Sequence, residues 1–168
     1  HREKLESTLP DGMTQVRRIA GRLDYFSVDV SQMYNCFLNK DPDACVVWVP
    51  HGPSVQKARL TRCQMGEKNL GVHAANWMHQ CMIDELPEWM LEYMSVFMDD
   101  LAAGADDIET LLLMFEAVMM MAYIKRMTFK ATKVEVLQSL VSFYGHDCSR
   151  EGIRSINRNV DVVRNMTH

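Results

Sequence analysis

The stretch that most constrains this chain is residues 93–102, YMSVFMDDLA, where two adjacent aspartates, Asp99 and Asp100, close an apolar run. Met94, Val96, Phe97 and Met98 read as a strand. Aspartate is a poor strand residue and a good turn residue. The pair is therefore expected at the turn of a hairpin whose return strand begins at Leu101. A plain polar turn would explain such a pair by itself. A second acidic residue, Asp29, sits in a similar setting within residues 25–34, YFSVDVSQMY. Two strands that each present aspartate at their ends, side by side, would make an oxygen-donor site for Mg²⁺. A pair of such ions is the usual device for phosphoryl or nucleotidyl transfer.

The bulk properties fit one domain. A chain of 168 residues is large enough for a real core, and 48% apolar with 24% charged residues is ordinary for a globular protein. The most apolar window, 111–123, is short and interrupted by Glu116, so no membrane span is expected. Cys36, Cys45, Cys63, Cys81 and Cys148 are odd in number and free of CxxC spacing. Reduced thiols in an intracellular compartment are the simplest reading. The chain opens at His1 rather than methionine, which suggests a piece of something longer. Net charge is −4 and unevenly placed: residues 81–124 carry ten acidic and no basic residues, while both flanks are net positive. The basic flanks could hold phosphates around an acidic centre, although Glu85, Glu88, Glu92, Asp106, Asp107 and Glu109 also read as solvated helix ends and loops.

Taken in order, the pattern predicts a helix over 13–22 and a strand over 25–30. A strand over 44–49 follows, then a turn at His51-Gly52-Pro53-Ser54 and a return strand over 58–63. A helix over about 72–86 ends at Pro87, and after the acidic hairpin Asp106 or Asp107 caps a long helix over 108–124. Short strand or turn pieces are expected at 127–129 and 134–137. A strand over 141–144, a turn over 149–152 and a final helix or linker from 155 complete the chain. The order points to an α+β fold, a mostly antiparallel sheet with two long helices packed on one face.

With these residues in hand, the chain resembles the palm of a reverse transcriptase, most closely those of gypsy-type LTR retrotransposons. Leu9-Pro10 leading to Tyr25-Phe26-Ser27 is similar to that family's approach to its first catalytic strand. Asp29 with Tyr34 resembles its D-x-x-x-x-Y motif, and Phe97-Met98-Asp99-Asp100 its Y/F-x-D-D box. Met65-Gly66-Glu67-Lys68-Asn69 resembles the MG-x-K-N loop, although Leu70-Gly71-Val72-His73 stands where the family has Ala-Pro or Ser-Pro. Lys133 falls in the lysine-bearing segment after the long helix. Phe143-Tyr144-Gly145-His146 with Glu151-Gly152-Ile153 is similar to the FLGH…GI hairpin. The resemblance covers nearly all of residues 1–168, as a palm with partial fingers and no thumb, residues 154–168 beginning a linker toward a missing thumb.

The resemblance implies an RNA-directed DNA polymerase, extending a primer on an RNA or DNA template with deoxynucleoside triphosphates. Two Mg²⁺ ions, or Mn²⁺, would be held by Asp29, Asp99 and Asp100. It implies Lys133 as proton donor to pyrophosphate, where a merely solvated lysine is the other reading. Tyr34 would lie beneath the incoming sugar, or be a half-buried aromatic. Gly66, Lys68 and Asn69 would touch substrate, and Phe143, Tyr144, Gly145 and His146 the primer end, with the two aromatics also reading as core residues. Fingers, thumb and RNase H segments would complete the enzyme. The rival reading is a catalytically inactive palm kept as a binding or structural module in a larger assembly. A generic two-metal phosphodiesterase would need further ligands. His73, His79 and Cys81 lack a fourth ligand for zinc, and Met119-Met120-Met121 reads as adaptable core filler.

Overall fold

The computed structural model describes residues 11–40, 43, 46–64 and 69–156. At its centre is a four-stranded antiparallel sheet in the order β4-β5-β1-β6, formed by Met94–Phe97, Asp100–Ala105, Asp24–Asp29 and Glu135–Gln138. Strand β1 is central because its residues can be buried on both sides. Phe26, Val28 and the following Val30 face one way, with Leu101, Ala103 and Ala105 of β5. Helices α2 (Leu70–Glu85) and α4 (Ile108–Lys125) cover that face through Met78, Met82, Leu111, Met114, Val118 and Met121. These two long helices on one face are as the periodicity predicts.

The opposite face is also covered, which the sequence reading did not anticipate. Tyr25 and Ala102 pack there against Val16 and Ile19 of helix α1 (Gly12–Ile19) and against Val141, Phe143 and Cys148. The last three belong to a second antiparallel sheet, β7 (Leu140–Phe143), β8 (His146–Ser149) and β9 (Gly152–Ser155). Gly104 makes the close approach possible. A Cβ there would stand 2.8 Å from the Tyr25 ring and 2.9 Å from the Ile19 carbonyl oxygen. The Tyr25 hydroxyl accepts from the Arg22 amide at 2.9 Å, and Ser95 Oγ donates to the Gln15 carbonyl at 2.7 Å, tying α1 to the sheet.

Helix ends follow local chemistry. Asp11 accepts from the Thr14 amide at 3.2 Å and Asp107 from the Thr110 amide at 2.7 Å, each satisfying a first-turn donor. Pro87 separates α2 from the single turn α3 (Glu88–Leu91). Strands β2 (Val46–His51) and β3 (Ser54–Arg59) form a separate, largely exposed hairpin. It is anchored where Cys63 donates to the Phe37 carbonyl and the Phe37 ring meets Trp77 edge-on at 5.2 Å.

Several boundaries differ from the expected ones. The β2–β3 turn is only Gly52-Pro53, so the return strand starts at Ser54 and ends at Arg59 instead of running over 58–63. Gly152–Ser155, read as the end of a turn and the start of a helix or linker, is strand β9, so Arg154 and Ser155 belong to a sheet. Phe129 contributes an isolated bridge to Val30, not a strand. Of the three consecutive methionines, Met121 is core and Met119 partly buried, but Met120 is 59% exposed. Cys36, Cys63, Cys81 and Cys148 are free thiols. No helix among the described residues is long and apolar enough to cross a membrane.

Candidate active site

The β1–β5 register places Asp29 directly opposite Asp100. Side chains of paired residues on antiparallel strands share a face, so both carboxyl groups lie on the side that carries Tyr25, Ser27 and Ala102. The sequence places Asp99 and Asp100 together in the turn, whereas the register pairs Asp29 with Asp100 and leaves Asp99 on the loop. The difference is one residue of turn. Phe97 pairs with Asp100 and the loop is Met98-Asp99 alone, so the return strand begins at Asp100 instead of Leu101. Met98 adopts φ 54°, the left-handed conformation that two-residue hairpins favour at a central position. Asp99 is exposed on that turn, and its carbonyl accepts from the Val30 amide at 2.8 Å, fixing the turn against the end of β1.

Lys133 arrives from the other side. It ends a short 3-10 turn, Ala131–Lys133, just before β6, and the chain is pinned there because the Lys130 amide donates to the Asp29 carbonyl at 2.9 Å. Lys133 Nζ donates to Asp29 Oδ2, joining a half-exposed ammonium to a buried carboxylate. Asp29, Asp100 and Lys133 border a cleft of about 250 Å³, with Ser27, Glu135 and Ser142 also on its walls.

The electrostatics are those of crowded acids. Asp100 is exposed at the strand end, yet partial burial of its carboxyl in the cleft pushes it above its ordinary value. The neighbouring charges of Asp99 and Asp29 push it further, with the two facing carboxyls within hydrogen-bonding reach. Lys133 pulls in the opposite direction. The lysine is itself raised, first by its hydrogen bond to Asp29 and then by the charge of that group. As the side chains stand, no three His, Cys, Asp or Glu groups among the described residues form a metal cage. The donor chemistry nevertheless fits a hard cation: facing carboxylates repel each other, a third lies one residue away, and an ammonium already supplies positive charge to the buried one.

The other candidates are dispersed. Tyr34 lies in a 3-10 turn, Met33–Cys36, partly buried against the main core. Asn69 precedes α2 with φ 67°; Gly66 and Lys68 lie outside the described residues. Phe143 is core. Tyr144 and Gly145 form the β7–β8 turn, with φ 50° and 73°, and His146 begins β8 with Nδ1 2.9 Å from the Tyr144 carbonyl oxygen. The Tyr144 ring, 43% exposed, packs edge-on against Phe97 at 4.4 Å between centroids and lies over Gly12. It thus braces the acidic hairpin. Sequence reasoning missed Ser27, Glu135 and Ser142. Ser27 could have been found by stepping back two residues from Asp29 along the strand; nothing local marks the other two.

No protein-family model matches the chain, and no curated protein matches it in sequence. Solved structures do. A foamy viral protease-reverse transcriptase in complex with dsDNA matches at TM-score 0.79 and 16% identity, over 98% of this chain and 33% of that one. The same viral protein as its dRH form with ds DNA gives 0.81 at 15% identity, over 99% and 28%. With an RNA/DNA hybrid it gives 0.75 at 16%, over 98% and 21%. This chain therefore spans a third or less of the proteins it resembles. At such identity the likeness is one of architecture: the described residues have the mixed helix and antiparallel-sheet fold found in a reverse transcriptase.

Proposed function

We propose that this chain is the palm, with part of the fingers, of a retroelement RNA-directed DNA polymerase of the gypsy type. The observation that carries the reading is the Asp29–Asp100 pair on the two central strands, with Asp99 on the adjoining turn and Lys133 against Asp29. Asp29, Asp99 and Asp100 would hold Mg²⁺, two ions in the full site. When bound, such ions lower the pKa of a primer 3′-hydroxyl and offset the charge of the leaving pyrophosphate. The chain's own part is to fix the carboxylates on rigid strands before substrate arrives. Lys133 neutralises Asp29 in the meantime, and would give a proton to the departing phosphate. Template with primer, and deoxynucleoside triphosphates, would be the substrates; the complexes of the foamy viral protein with dsDNA and with RNA/DNA hybrid support nucleic acid as the partner class.

A second reading has its own support. The ammonium of Lys133 already occupies the buried carboxylate, as a site kept only for structure would arrange it. That reading makes the chain an inactive palm serving as a binding module. Two measurements separate them. Mg²⁺ titration followed by calorimetry should show binding that Asp29→Asn weakens at least roughly tenfold. Primer extension with deoxynucleotides, in the longest form of the protein that contains this chain, should require Mg²⁺ and vanish with Asp29→Asn. Binding without extension favours the module, and no Mg²⁺ binding at all overturns the two-metal reading.

A further inference from the structure

Helix α4 carries two apolar stripes where one would bury it. Leu111, Met114, Val118, Met121 and Ala122 face the sheet. On the other side Ile108, Leu112, Leu113, Met120, Tyr123 and Ile124 are exposed, from 43% for Leu112 to 80% for Tyr123. Their spacing gathers them into one band along the outer face, broken only by Glu109 and Glu116. Six large apolar side chains exposed along one helix face are more than the scattered single ones that are ordinary on a monomer's surface.

We infer that this face pairs with the same face of a second copy of the chain, the two α4 helices running antiparallel across a two-fold axis. The distribution of the residues points to a like partner. Three of the apolar side chains precede the helix midpoint, near Glu116, and three follow it. A perpendicular two-fold there lays Ile108, Leu112 and Leu113 of one copy over Met120, Tyr123 and Ile124 of the other, the self-complementary arrangement that an isologous contact requires. The charges reverse in the same way. Glu109 stands in the first turn and exposed Arg126 at the C-terminal cap, so each acidic end meets a basic end, and the helix dipoles oppose. Lys125 stays within its own protomer, held by Glu85 at 2.8 Å and Asp84 at 3.4 Å. Glu116 is the one unfavourable element. It lies closest to the axis, where it meets its own copy.

Sedimentation velocity at concentrations up to about 100 µM, enough to populate a micromolar dimer, tests this. A concentration-dependent dimer is expected. Leu113→Glu with Met120→Glu should leave circular dichroism unchanged and weaken dimerisation at least roughly tenfold. Glu116→Gln should tighten it, an effect that damage to the fold cannot produce. Glu109→Arg should weaken association, and adding Arg126→Glu should restore it, as only contact between opposite ends of two like helices predicts. A monomer throughout the range, or a dimer indifferent to all these changes, overturns the inference.

Discussion

At the end of β1 two negative charges face one another, and the ammonium of Lys133 beside them bonds to Asp29. Asp100 is left with the burden, and its raised carboxyl pKa makes it a destabilising group at neutral pH. The folded state binds its proton more tightly than the unfolded state does. The penalty is therefore absent below the ordinary value of 3.8, sets in as pH rises toward the raised value, and is full above it. Asp100→Asn should accordingly raise the Tm by about 1–3 °C at pH 7 and give no gain at pH 3, checked by thermal melts at both. Lys133→Met removes the cation that competes for Asp29. Mg²⁺ affinity should rise several-fold in calorimetry, while the metal-free protein melts earlier. The sequence pointed to all four of these residues, but not to which of the two adjacent aspartates pairs with Asp29. That choice depends on Met98 taking a left-handed conformation, and methionine gives no local sign of doing so.

Among the elements, those with strong local signals were legible and those built on pairing alone were not. Helix α4 was placed within one residue at its C-terminal end because Asp107 and the apolar run mark it clearly. Asp107 bonds the Thr110 amide, which holds its carboxyl below the ordinary 3.8. The cap's contribution is present above that value and lost as pH falls through the depressed one. Asp107→Ala should thus lower the Tm at pH 7 and leave it unchanged at pH 2. Strand β9, in contrast, is four residues with no apolar alternation, and only its register with β8 defines it. Gly104 was equally silent in sequence, because its role comes from Tyr25 and Ile19 closing over it. Gly104→Ala should destabilise by about 1–3 kcal/mol in denaturant unfolding, since the carbonyl of Ile19 cannot move without shifting α1.

Across the whole molecule, the core surrounds the β1–β5 pair on both faces, while the β2–β3 hairpin extends away from it with most of its side chains exposed. Hydrogen exchange should separate them. Amides of residues 25–29 should be protected near the global limit, and those of 46–51 and 54–59 should exchange through local opening. The second face of the sheet was invisible in sequence because its cover comes from segments far apart in the chain, α1 and the β7–β9 sheet, with no local pattern joining them. The same strand order bears on how the protein is made. Among the described strands β1 is made first, yet both its neighbours lie far downstream, and Lys133 reaches Asp29 across 104 residues. Until then the apolar strand YFSV has no native partner to pair with, and a nascent chain halted near residue 95 would expose it. The acidic centre is thus completed only after residue 133 has been made, and products truncated before β5 should be caught by chaperones or precipitate.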